Sequence, residues 1–389
     1  MNCNLCNGAC LQELGYVGIK RISITSEPKL CELPAKIYYC QDCYHLQKVY
    51  SPLDLSKLDL MYQSYDAYGV SAYSVSAGDE QLIFSGDTNP KTRSYQALQK
   101  CTSYLPETGK LLDIGTGDGT ALKSASKVLP KWNLFGFDIS DKYKDSVLRI
   151  PGVEDFYAGN FQDIPLQKFD LIILWHSLEH IDKPTEYLAN LKDYLTDNGQ
   201  ILLQVPDVQR QPFDLAVIDH CSHFTSFTLN KLCQSAGFTV IIDGQDWTHN
   251  CLTLLLKPSG ALDVNDSYLN LNSFSPDTYF HWLNYAVQEF TQSVQGSDYA
   301  IFGTSIAGIW LSSQLEKPPI YFIDEDQSRS GNKIGNIPII SPQELNLNID
   351  IDIVMAFTHK TGQNISLRLK EQYINCRASR LILSSPFVQ

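Results

Sequence analysis

One stretch, Lys110–Thr120, constrains this chain more than any other, because it combines an apolar strand, a glycine turn and the start of a helix. Its sequence is Lys-Leu-Leu-Asp-Ile-Gly-Thr-Gly-Asp-Gly-Thr. The next apolar strand, Leu134–Ser140, carries a carboxylate near its end at Asp138. A glycine turn lets a ligand approach the backbone, and an acid at the tip of the next strand can bind two ribose hydroxyls. The pattern predicts an α/β domain with a nucleoside cofactor at this turn.

Strands and helices alternate through the central part of the chain, which predicts a sheet covered on both faces. The predicted strands are Lys110–Ile114, Trp132–Phe137, Phe169–Trp175, Gln200–Val205, Thr239–Asp243 and Leu252–Leu256. The predicted helices are Thr120–Val128, Thr185–Leu195 and Thr228–Ala236. The last two strands are close in sequence and favour a hairpin at one edge.

A second α/β unit is predicted near the end of the chain. A helix over Thr278–Val294 precedes its strands, which are Tyr299–Phe302, Ile320–Asp324 and Ile351–Ala356. The turn Gly303–Gly308 echoes the turn at Gly115. We therefore divide the chain into residues 1–75, 76–257 and 276–389, with a linker over 258–275.

Composition excludes several classes of protein. The net charge of -13 and a pI near 5.0 argue against binding nucleic acid through the whole surface. No apolar run approaches the roughly 20 residues of a membrane span, and no secretory signal opens the sequence. We expect a cytoplasmic protein without a membrane partner, and the sequence leaves its oligomeric state open.

Six of the eleven cysteines fall within the first 43 residues, which indicates metal binding rather than disulfides. Cys3 and Cys6 form one Cys-x-x-Cys pair, and Cys40 and Cys43 form another. Two such pairs complete a tetrahedral zinc site, to which we assign a structural role. Two alternatives remain: Cys10 or Cys31 replaces one member, or the cysteines are reduced and bind no metal.

The first strand and its turn supply several of the residues predicted to bind the cofactor. Asp113 closes the strand, Gly115 and Gly117 form the turn, and no basic residue is present. This suits S-adenosylmethionine, whose methionine end carries both an amine and a carboxylate, while Asp138 binds the ribose. The alternative is a purely structural turn in which Asp113 caps the helix.

Two later segments provide further candidate residues. Asn160 and Phe161 follow a strand end, where an amide and an aromatic ring can meet an adenine. Trp175 and His176 end the third predicted strand, at the sheet edge where open α/β folds bind ligands. His176 can therefore contact the cofactor or the substrate. Glu179 and His180 are equally consistent with a helix-start acid and a packed histidine.

Residues 110–240 resemble class I S-adenosylmethionine-dependent methyltransferases. The resemblance is carried by Leu111–Gly119, Asp138, His176–His180 with Pro184, Gly199–Pro206 and Asp219–Thr225. The whole chain resembles the three-domain sugar C-methyltransferases of deoxysugar biosynthesis. The further matching segments are the cysteine pairs with Tyr38–Gln47, Ile301–Ser305, Phe322–Asp324, Gly335–Pro338 and Ile340–Glu344. The resemblance implies a zinc-binding N-terminal domain, a central Rossmann-like methyltransferase sheet and a C-terminal Rossmann-like domain.

The sugar C-methyltransferases act on nucleotide-linked 4-keto deoxysugars through an enolate, with a Tyr-x-Glu-His cluster at the reacting carbon. The corresponding segment here is Val217-Ile-Asp219-His220, so the acid is shortened and the tyrosine is absent. The resemblance implies catalytic roles for His220 and Asp219, with His220 as the base, and His176 is a third catalytic candidate because of its position at the sheet edge. If the segment is helical, His223 lies about one turn from His220. Asp219 and His220 are equally consistent with a loop that packs beside the cofactor.

Other functions remain open on the sequence. An oxygen or nitrogen acceptor on a sugar or other small molecule needs no enolate cluster, and a third hypothesis is a zinc-stabilised binding protein without activity. The resemblance also implies that the turn at Gly303 and Asp324 bind a nucleotide-sugar diphosphate, against a purely structural role. Tyr62, Tyr65 and Tyr68 either gate the cofactor or pack between domains.

Overall fold

The computed structural model describes residues 2–63, 82–83, 91–248, 250–259, 277–296, 298–327, 329–346, 351–355 and 367. Three main sheets organise these residues, with four, seven and five strands. Within the described ranges, no helix has the length and apolar character needed to cross a bilayer.

The N-terminal region is an antiparallel sheet followed in sequence by a helix. Its elements are β1 (Leu11–Tyr16), β2 (Ser23–Ile24), β3 (Leu30–Cys31), β4 (Lys36–Cys40), β5 (Leu46–Lys48) and α1 (Pro52–Gln63). The main sheet has the order β1-β4-β5, while β2 and β3 form a separate pair. Both Cys-x-x-Cys segments lie at one end of this small sheet, where β4 ends and β5 begins.

The central region is a seven-stranded mixed sheet. This part of the chain contains the strands β6 (Leu82–Ile83), β7 (Lys91–Thr92), β8 (Lys110–Ile114), β9 (Asn133–Asp138), β10 (Val153–Ala158), β11 (Phe169–Trp175), β12 (Leu195–Pro206), β13 (Ser222–His223), β14 (Phe238–Asp243) and β15 (Cys251–Pro258). Of these, β6 and β7 form a separate pair and β13 joins the N-terminal sheet, so the other seven make up the central sheet. Its helices are α2 (Arg93–Cys101), α3 (Thr120–Val128), α4 (Lys144–Val147), α5 (Pro184–Asn190) and α6 (Ser226–Ser235). The order β10-β9-β8-β11-β12-β15-β14 is parallel except for β15, which runs antiparallel to both neighbours.

Alternation along the central strands buries both faces of this sheet. Leu112 and Leu174 belong to one apolar cluster, whereas Leu111 and Ile173 belong to the cluster on the other face. Near-continuous apolar strands require this double cover, because each face must be removed from water. The predicted sheet and its edge hairpin are therefore present.

The C-terminal region holds a second, smaller parallel sheet. Its elements are α7 (Asp277–Ser293), β16 (Tyr299–Phe302), α8 (Ile306–Gln314), β17 (Tyr321–Ile323), β18 (Lys333–Ile334), β19 (Ile337–Ile340) and β20 (Asp352–Met355). The order is β18-β19-β17-β16-β20, and only β18 is antiparallel to its neighbour. Trp310 on α8 donates its indole N–H to the Ile22 carbonyl at 2.8 Å, so this region packs directly against the N-terminal one.

A strand from the central region completes the N-terminal sheet. β13 pairs antiparallel with β5, with Ser222 opposite Gln47 and His223 opposite Leu46. The segment is therefore not helical between His220 and His223, because Ser222 and His223 form a strand, and the helical spacing considered for these two histidines does not apply. The predicted helix Thr185–Leu195 also stops early, at Asn190, and continues as a 3₁₀ turn over Leu191–Tyr194.

Some expectations lie outside the described residues. These are the boundary between residues 75 and 76, Tyr65 and Tyr68, the side chain of Tyr62, most of the linker, and nearly all of residues 356–389.

Candidate active site

The glycine turn after β8 is tied to the acid at the end of β9. Gly115 and Gly117 have φ values of 79° and 52°, a conformation that favours glycine. The Gly117 N–H donates to Asp138 Oδ2 at 2.8 Å. A side chain at Gly115 would place its Cβ 2.9 Å from the Ser177 Cβ. The turn is thus packed against the segment that follows β11.

Asp113 and Asp138 occupy different environments. Asp113 is buried within β8, and its carbonyl accepts the Thr116 hydroxyl at 2.8 Å. Asp138 is half-buried at the strand end, where the Ser140 N–H also approaches its Oδ1 at 3.2 Å. Burial raises the pKa of Asp138, although the Gly117 and Ser140 amides oppose that effect. A carboxylate at this position can accept ribose hydroxyls beside the turn.

Asn160 and Phe161 lie just beyond β10. Asn160 is exposed, while the half-buried Phe161 ring has its centroid 5.0 Å from that of Tyr187 and 5.1 Å from that of Tyr194. Trp175 ends β11 and is buried. Phe161 is therefore held by an aromatic cluster at the same edge of the sheet as the glycine turn.

His176 has a strained backbone and two acceptor oxygens at its ring. Its φ is 51°, which is uncommon for a residue other than glycine and clusters at functional sites. Nδ1 lies 3.2 Å from Glu179 Oε1, and Nε2 lies 3.1 Å from Gln204 Oε1. Burial opposes a charge on the ring, but Cys251 and Glu179 outweigh it and raise the pKa of His176 to about 10. His176 is thus suited to stay protonated.

Beside His176, three further groups form the centre of what we call the histidine cluster: Glu179, His180 and His220. One ligand atom from each lies within 4.8 Å of the other two, so the charges of the three groups interact. The His180 and His220 rings meet edge to face at 4.7 Å. Glu179 is buried, and its Oε2 has no hydrogen-bond partner among the described residues.

Asp214 links His220 to His223. Its Oδ1 lies 2.6 Å from His220 Nδ1, and its Oδ2 lies 2.5 Å from His223 Nδ1. Burial disfavours a charged imidazole, yet the Asp214 carboxylate outweighs it and raises the pKa of His220. Both histidines thus converge on one carboxylate without a helix between them.

Asp219 has a different set of contacts from its neighbour His220. Its carboxylate accepts the Ser26 N–H at 2.8 Å and the Ser26 hydroxyl at 2.5 Å. Its Oδ2 also lies 3.7 Å from His180 Nδ1, while the Asp219 carbonyl lies 2.9 Å from the same nitrogen. Asp219 therefore orients His180 and holds the N-terminal region.

Sequence reasoning missed three residues of this site: Asp214, Gln204 and Lys48. Lys48 is buried, and its Nζ lies 2.6 Å from His223 Nε2. Asp214 stands six residues before His220 in the sequence, and that spacing belongs to no motif that would have identified it. Lys48 gave no signal, because its contact depends on the pairing of β5 with β13.

The four predicted cysteine ligands converge. Sγ atoms of Cys3 and Cys43 lie 3.4 Å apart, and those of Cys6 and Cys40 lie 3.7 Å apart. All four sulfur atoms lie within 4.8 Å of one another. A tetrahedral zinc ion with bonds of about 2.3 Å requires sulfur pairs about 3.8 Å apart, so the four residues fit that ion.

The second glycine turn carries its own acid. Asp324 Oδ2 accepts the Thr304 N–H at 3.0 Å and the Thr304 hydroxyl at 2.5 Å. Arg329 Nη1 donates to the Thr304 hydroxyl at 2.6 Å and to Asp324 Oδ2 at 3.3 Å. A basic residue absent from the turn in sequence is thus brought to it from the next loop.

Comparison with known proteins bears on the central region. Residues 91–242 match a family model described as a methyltransferase domain. No curated protein matches the chain. One similar solved structure is the mitomycin 7-O-methyltransferase MmcR, at 13% identity, with 43% of this chain and 54% of that chain covered and a TM-score of 0.36.

Two more solved structures have comparable similarity. The N,N-8-amino-8-demethyl-D-riboflavin dimethyltransferase RosA from Streptomyces davawensis matches at 16% identity over 42% of this chain and 54% of that one, with a TM-score of 0.36. CalO1, a methyltransferase in calicheamicin biosynthesis, matches in its SAH-bound form at 17% identity over 43% and 53%, with a TM-score of 0.35. This chain thus spans about half the length of each structure. The segment that is similar to methyltransferase domains, residues 91–242, contains the glycine turn, Asp138 and the whole histidine cluster.

Proposed function

We propose that this protein transfers a methyl group from S-adenosylmethionine to a carbon of a nucleotide-linked keto deoxysugar. The observation that carries the proposal is the close approach of Ser177 to Gly115, where a Cβ would lie 2.9 Å from the Ser177 Cβ, because it brings the predicted cofactor turn beside the segment of His176, Glu179 and His180. A methyl donor at the turn and a base in the cluster would then be neighbours. Holding both reactants in one geometry is itself a large catalytic effect.

The cofactor supplies an electrophilic methyl group on sulfur. For its binding we assign the turn at Gly115 and Gly117 to the amino-acid end, with Asp113 beneath it. Asp138 accepts the ribose hydroxyls, and Asn160 with Phe161 borders the adenine. Trp175, which ends β11 and whose ring meets His176 edge to face, is assigned to the same site. These assignments follow from the shared edge of β8, β9, β10 and β11.

His220 is the proposed base. It removes the proton next to the sugar ketone, so that a C–H bond breaks and an enolate forms. The enolate carbon bonds to the methyl as the sulfur–methyl bond breaks, which yields S-adenosylhomocysteine and leaves the proton on His220. Asp214 at 2.6 Å stabilises the resulting imidazolium. The Asp214 carboxylate raises the pKa of His220, and a higher pKa makes this imidazole a stronger base.

His176 and Asp219 take supporting roles in this proposal. His176 stays protonated between Glu179 and Gln204 and provides a fixed positive charge for the developing enolate oxygen. Asp219 orients His180 through the contacts described above. Both residues are thus part of the catalytic centre, and His220 alone moves the proton.

The two flanking regions are assigned a structural metal and a nucleotide partner. We propose that Cys3, Cys6, Cys40 and Cys43 hold a zinc ion whose coordination is closed and whose role is structural. We also propose that a nucleotide diphosphate binds at the turn of Gly303, where the N-terminus of α8 and Arg329 both favour an anion.

Methyl transfer to oxygen or nitrogen is the second candidate. It is favoured by Val217, which stands where the C-methyltransferases have a tyrosine. Val217 is 2% exposed and packs in the core, so no phenol or other polar group can act from that position. A sugar hydroxyl or amine would need one base and no enolate donor.

The test is incubation with S-adenosylmethionine carrying an isotopic methyl and a pool of nucleotide sugars, with mass spectrometry and carbon NMR of the product. A label on a sugar carbon supports the proposal, a label on oxygen or nitrogen supports the second candidate, and no label despite cofactor binding contradicts both. His220→Ala should reduce transfer by about a hundredfold or more without changing cofactor affinity. His281→Ala is the matched control, since that histidine is 67% exposed on α7.

A further inference from the structure

Lys48 reaches from the N-terminal region into the histidine cluster. Its Nζ lies 2.8 Å from the Val217 carbonyl, 3.1 Å from the His220 carbonyl and 2.6 Å from His223 Nε2. An ammonium group has three protons to donate and no acceptor. The three contacts therefore use the three protons of Lys48, and His223 Nε2 must act as an acceptor.

This contact fixes where the protons of the cluster lie. Since His223 Nε2 accepts, the ring proton of neutral His223 lies on Nδ1 and is donated to Asp214 Oδ2. The other oxygen of Asp214 accepts from His220 Nδ1. His220 consequently carries its proton on Nδ1 and a lone pair on Nε2, which is the form a base requires.

The electrostatics of the buried groups agree with this arrangement. Burial lowers the pKa of Lys48 to about 8, which leaves it protonated at neutral pH. Burial and the Lys48 charge lower the pKa of His223 to about 4, so His223 is neutral. Although burial opposes it, the two histidines lower the pKa of Asp214, so this carboxylate is ionised.

We infer that Lys48 and Asp214 are positioning residues of the base His220, and that the N-terminal region thereby completes the catalytic centre. The inference deepens the proposed function and rests on it for the role of His220. Lys48 acts through His223 and Asp214, and it also clamps the backbone of the His220 segment. The small sheet with the cysteine site is therefore part of the catalytic apparatus as well as a folding unit.

Removal of the positive charge of Lys48 should raise the pKa of the nearby histidines. The charged and titratable groups that face His220 are Asp214, Glu179, Asp219, His180 and His223. In Lys48→Met the carboxylates are no longer balanced by the buried ammonium, so the imidazoles take up a proton at a higher pH. We expect the acidic limb of the kcat/KM profile to move up by about one pH unit, a tenfold loss on that limb.

The decisive measurement is nitrogen NMR of protein labelled with ¹⁵N-histidine, in which the two ring nitrogens of each tautomer are distinguished. In the native protein at neutral pH we expect protons on Nδ1 of both His220 and His223. In Asp214→Asn an amide replaces one acceptor oxygen by a donor, so one of these rings should move its proton to Nε2. Lys36→Met on neighbouring β4 is the control, because Lys36 pairs at the surface with Glu13.

Each outcome decides the inference. A native proton on His220 Nε2 overturns it, as does a pH profile that Lys48→Met leaves unchanged or that Lys36→Met shifts equally. If Lys48→Met fails to fold, the native tautomers and those of Asp214→Asn still decide. The NMR experiment needs no substrate, so expected tautomers without label transfer to a sugar would contradict the proposed function and leave the proton arrangement standing.

Discussion

The two glycine turns of this chain share a geometry and differ in how their acids are occupied. At the central turn, Asp138 Oδ2 accepts the Gly117 N–H at 2.8 Å. At the C-terminal turn, Asp324 Oδ2 accepts the Thr304 N–H at 3.0 Å. Asp324 also accepts hydrogen bonds from the Thr304 hydroxyl and from Arg329, whereas backbone amides hold Asp138.

This difference indicates separate roles for the two turns. A carboxylate held by backbone amides keeps lone pairs for ligand hydroxyls, but one paired with a guanidinium and a hydroxyl has fewer to offer. The central turn is therefore suited to bind a ribose through its acid. The C-terminal turn is suited to bind an anion through Arg329, with Asp324 holding that arginine in place.

The largest difference in cofactor affinity should appear when the acid of each turn is replaced. Asp138→Asn should weaken S-adenosylmethionine binding by about ten- to a hundredfold, since a hydrogen bond to a charged group contributes roughly 1.5–3 kcal/mol. Asp324→Asn is the matched variant and should leave that affinity unchanged. Isothermal titration calorimetry measures the affinity of both variants. Equal losses of affinity in the two would contradict the assignment of the ribose to the central turn alone.

A second test uses the glycines that open the turns. Gly115 and Gly303 have φ values of 79° and 90°, so alanine at either position costs about 1–2 kcal/mol of backbone strain. At Gly115 the new Cβ would also lie 2.9 Å from the Ser177 Cβ, in the segment of the histidine cluster. We therefore expect Gly115→Ala to lower both the thermal midpoint and cofactor affinity, and Gly303→Ala to lower the midpoint alone. Loss of cofactor affinity in Gly303→Ala would contradict the assignment of separate ligands.

Local patterns were sufficient to predict most of the central sheet. Strands Lys110–Ile114 and Phe169–Trp175 and helix Thr120–Val128 have the predicted bounds, because apolar runs and a glycine start are local signals. The turn at Gly303 and strand Tyr299–Phe302 were predicted for the same reason.

The proton network of the site could not be predicted in the same way. Asp214 belongs to a short 3₁₀ turn, and Lys48 carries a charge that sequence alone would assign to the surface. Lys48 reaches the site through the pairing of β5 with β13, two strands far apart in sequence, and Asp214 reaches it through its own hydrogen bonds to His220 and His223. His220 could therefore be predicted from the sequence, but the groups proposed to determine which of its ring nitrogens is protonated could not.

A smaller effect is expected from Arg329. Arg329→Met would remove the guanidinium from Asp324 and Thr304, and an exposed or half-exposed ion pair contributes about 1 kcal/mol or less. We expect a slightly lower thermal midpoint, unchanged S-adenosylmethionine affinity and weaker binding of a nucleoside diphosphate. Fluorescence titration with that nucleotide is the measurement. Unaltered nucleotide binding would show that Arg329 has no ligand role and would leave it a structural partner of Asp324.

The finest distinction between the turns lies in the protons that accompany cofactor binding. Burial raises the pKa of Asp138, so this acid takes up a proton at a higher pH than an ordinary aspartate. Ribose hydroxyls donate to the ionised form, and binding therefore favours loss of that proton. Affinity should fall as the pH drops through the pKa of Asp138, with proton release on binding in that range and none at higher pH.

Calorimetry in two buffers with different ionisation enthalpies measures this proton release directly. The cofactor's own amine and carboxylate also titrate, but they contribute equally in the native protein and in Asp138→Asn. The difference between the two proteins thus isolates Asp138. The Asp324→Asn variant should release as many protons as the native protein, because Asp324 lies outside the proposed cofactor site. If Asp324→Asn lost this proton release, or if Asp138→Asn released as many protons as the native protein, the assignment of the ribose to Asp138 would be wrong.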